Sequence, residues 1–133
     1  MLKKYLEPSS LEKGLSQPIN YPAIGTGVFA FPQLAQAGIN PDSISEDKDN
    51  YEIVEYELSQ SSLYAGQKEK GLLTAVYDKA NYIVGVGEIS TSAVNDVNYF
   101  VPIIGLRIRK NEWHQNVLPI YPALADKIEG ILR

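Results

Sequence analysis

The sequence predicts an α+β fold, in which an antiparallel sheet of about four strands follows short N-terminal helices and precedes a C-terminal helix packed on one face. Strand periodicity begins at Tyr51, where apolar and acidic residues start to alternate. Helix start and stop signals occur near the N-terminus, and the last apolar residues are spaced as on one side of a helix. The 133 residues, of which 44% are hydrophobic, suit one domain, 1–133, with 1–31 as an N-terminal arm.

Two short helices are predicted near the N-terminus. The segment from Ser9 to Glu12 matches a capping box, in which the serine accepts from the backbone and the glutamate reaches back, and Gly14 ends the turn. Pro32 stands at a first helical position, and Gly38 closes the second helix after residues 33–37. Both helices are expected to precede the sheet.

Four segments are predicted as strands. In the first, Val54, Tyr56 and Leu58 alternate with Glu55 and Glu57, so one side of this strand is expected to face solvent. The remaining strands are residues 72–77, 82–89 and 99–110, with a loop at 59–71 and a turn at 78–81. This order favours an antiparallel sheet built from neighbouring segments.

Glycine, proline and apolar spacing add detail to this sheet. Gly85 and Gly87 fall on one side of their strand, which indicates a bulge or a hollow that a large side chain, a helix or a ligand can fill. Pro102 cannot donate to a ladder, so its strand is expected at an edge or bulged. The last helix, from near residue 122, is expected to bury three apolar residues, Leu124, Ile128 and Ile131.

One surface pairing is predicted from the alternation in two strands. Glu55 and Glu57 are expected on the solvent side of the sheet, with Arg107 and Arg109 on the same side and close enough to pair. Exposed pairs of this kind contribute at most about 1 kcal/mol each.

Charge argues against nucleic acid as a partner. The net charge is −4, and residues 42–57 contain seven carboxylates and one lysine. The basic cluster at 107–110 is too small to neutralise the phosphates on which nucleic-acid affinity depends. A protein partner or a second copy of the chain is therefore expected instead.

Neither a membrane segment nor a cofactor is predicted. Residues 15–41 carry no charge, but four prolines interrupt them, so they cannot form a continuous apolar helix. The first residues lack an apolar run of signal-peptide length, which favours a cytoplasmic or virion-associated protein. The chain has no cysteine, and His114, its one histidine, has no second ligand of this kind for zinc. We therefore predict no catalytic residue, no metal and no cofactor.

The most distinctive string is residues 21–32, inside the uncharged stretch. Its glycines allow close backbone approach to another surface, which makes it the candidate ligand loop. The residues predicted to bind are Gly25, Thr26, Gly27 and Val28. The string resembles the phosphate-contacting loop of macro domains, which bind ADP-ribose. In that family the loop lies late in the domain, whereas only Met1 to Asn20 precede it here, so the order does not fit a macro domain.

Three classes of function stay open. The preferred one is a non-enzymatic assembly or protein-binding subunit, of the kind found among virion and phage components, whose arm docks on a copy of itself or on another protein. Its predicted interface residues are Tyr21, Phe29 and Phe31, because the segment is too rich in proline for regular structure. The alternative is a small-ligand or nucleotide-binding domain that uses the loop at 25–27. An enzyme with carboxylates from distant segments is the third.

Overall fold

The computed structural model describes residues 21, 23–44, 46–118 and 126–132, except for the side chains of 62–64 and 126. Its strands form one antiparallel sheet in the order β1-β2-β5-β4-β3, and they are β1 Gly25–Val28, β2 Gln33–Gly38, β3 Tyr51–Glu57, β4 Leu72–Asp78 and β5 Ile83–Ser90. The helices are α1 Ser62–Gln67, α2 Ala93–Gly105, α3 Lys110–Asn116 and α4 Asp126–Leu132, and 3-10 turns occupy Pro41–Ile44 and Leu58–Gln60. The predicted α+β class with an antiparallel sheet is confirmed, and the sheet has one strand more than predicted.

Helices α2 and α4 cover one face of the sheet, and the hydrophobic core lies beneath them. Helix α2 packs on β1, β2 and β5, whereas α4 packs on β3 and β4. Leu73 and Ala75 of β4 belong to the core cluster that both helices complete. Ile128 and Ile131 are buried as predicted, while Leu124 lies outside the described residues. The predicted packing of the C-terminal helix on one face is therefore confirmed.

The prediction of a second N-terminal helix at residues 32–38 is wrong, because residues 33–38 form strand β2. Ala35 and Ala37 are buried, whereas Leu34 and Gln36 are exposed, which is the two-residue period of a strand. Strands β1 and β5 pair with β2 on its two sides. This pairing with distant segments outweighs the local helix start and stop signals.

The strand predicted at residues 99–110 is also wrong, because most of this segment is the second half of α2. The buried apolar residues of α2 recur at three- and four-residue spacing, the period of an amphipathic helix. They are Val97, Phe100, Ile103 and Ile104. Pro102 and Asn98, whose carbonyl group has no N–H of residue 102 to accept from, both lie on the exposed side of the helix. The proline is therefore tolerated inside the helix.

The predicted pairing of Glu55 and Glu57 with two arginines is wrong, since Arg107 and Arg109 follow α2 instead of lying on a strand beside β3. Their guanidinium groups lie over the ring of Tyr82, at 4.5 and 4.6 Å from its centroid. The basic cluster is thus stabilised by cation–π contacts with an aromatic face.

The hollow predicted beside Gly85 and Gly87 exists, and the chain itself fills it. A Cβ atom at Gly85 would overlap the backbone of Ile39, and one at Gly87 would touch the ring of Pro41 at 3.6 Å. The backbone N–H of Ile39 donates to the carbonyl oxygen of Val84 at 2.9 Å. The connection after β2 therefore lies directly against β5, and a side chain at Gly85 would exclude it.

Three other predicted segments have different outcomes. The loop at 59–71 contains the second 3-10 turn and helix α1. The turn at 78–81 is confirmed, because the N–H of Asn81 donates to the carbonyl of Asp78 at 3.0 Å. The predicted helix at 9–12 lies outside the described residues.

Replacing Ile128 by aspartate is expected to destabilise the protein by about 3 kcal/mol or more, because it places an unpaired carboxylate in the core. Ile128 is 2% exposed, whereas the matched control, Leu118→Asp, changes a residue that is 97% exposed. Urea unfolding of both variants measures the difference, and the control is expected to stay within about 0.5 kcal/mol of the wild type. An unchanged midpoint for Ile128→Asp would show that α4 is not part of the core.

Candidate functional site

The sheet face opposite α2 and α4, which we call the open face, is the main candidate surface. Strand register arranges its side chains in rows that cross the sheet. One row, which we call the apolar row, consists of Val28, Leu34, Ile89 and Leu72. The neighbouring row consists of Thr26, Gln36, Gly87 and Thr74. A shallow depression of about 550 Å³ runs along both rows and is bordered by the first 3-10 turn.

The apolar row continues into the connection between β1 and β2. Val28, Leu34 and Ile89 in this row are 44–59% exposed, and Phe29 and Phe31 in the connection are 80% and 90% exposed. The other predicted interface residue, Tyr21, precedes β1 and is 44% exposed. Contiguous exposed apolar surface of this kind usually marks a contact site.

The open face divides into an uncharged half and an acidic half. On this face, β1, β2 and β5 present no charged side chain. The rows end on β3 at glutamates, since Glu57 lies opposite Leu72 and Glu55 lies opposite Thr74. Asp42 lines the same depression from the first 3-10 turn. A partner that meets the β1 side therefore contacts apolar and neutral polar groups of these three strands.

The residues predicted to bind a ligand, 25–28, form strand β1 rather than a loop. Gly25 and Gly27 face α2, where a Cβ atom would lie 3.1 Å from Val101 and 3.0 Å from Val94, respectively. Glycine suits these positions because α2 lies so close to the edge strand. The ligand-binding role of these residues stays a prediction, but their extended backbone is not the loop and helix start of a phosphate cradle.

A second candidate is a buried ionic cluster between β5, α2 and α4, formed by Glu88, Asp96 and Lys127. Lys127 Nζ lies 2.6 Å from Glu88 Oε1 and also pairs with Asp96 Oδ2. Ser90 Oγ donates to Glu88 Oε1 at 2.5 Å, and Ser92 Oγ donates to Asp96 Oδ2 at 2.7 Å. The side chains of Lys127 and Glu88 have no exposed area, and that of Asp96 is 11% exposed. Solvent therefore screens these charges poorly.

Burial and charge act against each other within this ionic cluster. Burial raises the pKa of the Glu88 carboxyl to about 7, with the Lys127 ammonium lowering it and the Asp96 carboxylate raising it further. Burial by itself would lower the pKa of Lys127, but the two carboxylates outweigh it and that pKa is raised. The cluster therefore contains a cation, with Glu88 near its titration point at neutral pH.

The ionic cluster escaped the sequence analysis because its members are far apart in the chain, with Lys127 39 residues from Glu88 and 31 from Asp96. The sequence contains only local indications that these residues are buried. Glu88 is a carboxylate in an otherwise apolar strand, and Lys127 stands beside the apolar Ile128 at the start of an amphipathic helix. Neither observation identifies the other member of a pair.

His114 is exposed on α3, and no three histidine, aspartate or glutamate side chains in the described part are placed to hold a metal ion. Across those residues, no helix combines the length and apolar character that a membrane crossing requires.

Sequence comparison assigns the chain to a family. It is 30% identical over 129 residues to the uncharacterized 19.7 kDa protein in the mercuric resistance operon of Staphylococcus aureus, with 93% of this chain and 69% of that protein covered. The chain belongs to the family of this staphylococcal protein. No protein-family profile matches it.

The fold also occurs inside longer proteins of known structure. LpdA from Mycobacterium tuberculosis matches with a TM-score of 0.81 and 19% identity, over 93% of this chain and 28% of LpdA. The HOCl-induced flavoprotein disulfide reductase RclA from Escherichia coli matches with a TM-score of 0.80 and 13% identity, over 98% of this chain and 31% of RclA. The chain therefore spans less than a third of either protein, and identities this low establish a shared fold.

The predicted function, an assembly subunit of virion or phage type, is wrong, and the description as a structural protein is wrong with it. The fold is that of a small part of an oxidoreductase such as RclA, and virion association finds no support. The alternative, a small-ligand or nucleotide-binding domain, stays a prediction, because a shared fold at these identities does not test it. Its proposed loop at 25–27 is a paired edge strand.

Replacing Gly27 by valine is expected to destabilise the protein by about 1–3 kcal/mol, because the new side chain meets Val94 of α2. Thr26→Val is the matched control, since it adds a β-branched apolar residue to the same strand on the open face. Adding Val94→Ala to Gly27→Val should recover part of the loss, which a double-mutant cycle in urea measures. Equal losses for Gly27→Val and Thr26→Val would contradict the close packing of α2 on β1.

Proposed function

We propose that this chain is the protein-association domain of an oxidoreductase, and that it pairs with a second copy of itself through the apolar row and the adjoining Phe29 and Phe31. The observation that carries the proposal is the contiguous, exposed apolar surface on the uncharged half of the open face. The similarity to RclA supports the oxidoreductase context. In this proposal the chain is one domain, 1–133. Because residues 25–28 form a strand of the sheet, the predicted arm 1–31 is not separate from it, and Tyr21, Phe29 and Phe31 reach the contact from either side of β1.

Charge favours a second copy as the occupant of this surface. A two-fold contact places the same patch on both sides, so every charged residue in the patch meets a like charge or lies close to one. The chain has a net charge of −4, yet the β1 side of the open face presents no charged side chain. Self-association through the acidic β3 side, with Glu55 and Glu57, would suffer repulsion. The uncharged half is therefore the surface on which two copies meet most favourably.

The size of the staphylococcal relative supports an association made between separate chains. Its mass is 19.7 kDa, and this chain, of 14.7 kDa, covers 69% of its length. RclA and LpdA, by contrast, are more than three times as long as the segment that matches this chain. That relative is therefore too small to include the remainder of such a reductase.

Light scattering after size-exclusion chromatography tests the proposal. The wild-type chain is expected to elute with about twice its monomer mass at micromolar concentration, in the range of specific protein association. Two variants should raise the dissociation constant of the dimer at least tenfold. The double variant Phe29→Ser/Phe31→Ser removes apolar contact, and the single variant Ile89→Lys places two like charges at the centre of the two-fold contact. Unchanged circular dichroism would show that both variants remain folded.

A matched control removes exposed apolar residues elsewhere. Leu106 and Leu118 are 74% and 97% exposed and lie outside the open face, so Leu106→Ser/Leu118→Ser should leave the dimer intact. A monomeric wild-type chain would overturn the proposed self-association. Saturable binding of flavin adenine dinucleotide or ADP-ribose by that monomer, lost in Gly27→Val, would favour a ligand role for β1 instead.

A further inference from the structure

Helix α4 depends on a few specific contacts for its position. With seven residues it is too short to be stable alone in water, so packing and polar contacts must hold it. Besides its apolar residues, the backbone carbonyl of Ile131 accepts from Tyr77 Oη at 2.6 Å, and Glu129 accepts from Trp113 Nε1 at 2.9 Å. Lys127 supplies the third contact, through the ionic cluster at the start of the helix.

The composition of the ionic cluster makes that third contact sensitive to protons. With both carboxylates ionised, Lys127 faces two negative charges, and the cluster has a net charge of −1 in a poorly solvated interior. Within the described part of the chain, Glu88 Oε2 is buried there without a hydrogen-bond partner. A buried charge that lacks full compensation is costly, and a proton on Glu88 removes the excess.

We infer that Glu88, Asp96 and Lys127 form a proton-operated latch, which holds α4 on the sheet more tightly below neutral pH than above it. The charged groups that face Glu88 in the described part of the chain are Asp96 from α2 and Lys127 from α4. The neighbouring strands oppose it with Ala35 on β2 and Leu73 on β4, which carry no charge. Glu88 is thus the group whose protonation sets the charge of the latch. The inference does not depend on the proposed self-association.

The direction of the pH effect follows from the states of Glu88. In the closed structure its pKa is raised from 4.5 to about 7, because burial disfavours the carboxylate. Once α4 opens and water reaches Glu88, its pKa returns towards the ordinary value. Between these two pKa values the closed state binds the proton and the open state does not, so stability falls as pH rises. Below pH 4.5, the full contribution of Glu88 to the stability of the closed state is present. Above about pH 7, the stability of the closed state falls no further through this group.

Hydrogen exchange of the full chain, measured by mass spectrometry between pH 5 and pH 8.5 and corrected for intrinsic rates, tests the latch. The opening constant for the amides of α4 should rise on the order of 100-fold across this range in the wild type. In Glu88→Gln, which keeps size and polarity but cannot titrate, that rise should disappear. Glu55→Gln is the matched control, since it removes an exposed strand carboxylate and should keep the rise.

A second variant keeps the inference testable if Glu88→Gln folds poorly. Asp96→Asn makes the cluster neutral when Glu88 is ionised, so the rise should shrink and move to lower pH. If the opening constant of α4 rises with pH as much in either cluster variant as in the wild type, the inference is wrong. It is also wrong if protection of α4 in the wild type increases with pH. Loss of the rise in the control variant would also overturn it, because the proton would then act elsewhere.

Discussion

The close approach of helix α2 to the edge of the sheet is the constraint on which the rest of this structure depends. Beneath α2, the strands β1 and β2 present Gly25, Gly27, Ala35 and Ala37, which leave almost no side-chain volume between helix and backbone. Because successive strand residues point to opposite faces, the larger residues of the same strands must point away from the helix. Val28 and Leu34 are therefore placed on the open face. The apolar surface that we propose as a contact site is thus a direct consequence of tight helix packing on the other side.

The same architecture explains why charges are buried at the centre of the domain. On the same face of the sheet, helix α2 covers β1, β2 and β5, and α4 covers β3 and β4, so the boundary between the two helices lies beside the middle strand β5. Glu88 projects from β5 at that junction, where Asp96 of α2 and Lys127 of α4 reach it. An ionic contact in such a position adds little net stability, since desolvation opposes the attraction. Its value lies in fixing where α4 sits, and its uneven charge makes that position responsive to protons.

Family membership and fold support different parts of the functional argument. The staphylococcal relative, of 19.7 kDa, shows the family of the chain, whereas RclA and LpdA show the same fold as a minor part of much longer chains. The self-association that we propose rests on the uncharged half of the open face and not on those longer proteins.

The sequence by itself determined the α+β class, the strands β3, β4 and β5 with their turn at 78–81, and the buried face of the C-terminal helix. These features depend on local periodicity, which is readable along the chain. Tertiary structure alone decided that residues 33–38 form a strand, because that segment pairs with the distant strand β5. The helix that includes most of 99–110 does have a helical apolar period in the sequence, but Pro102 within it favoured the strand prediction. The ionic cluster of Glu88, Asp96 and Lys127 was likewise beyond the sequence, because long-range packing, and not spacing, brings buried charges together.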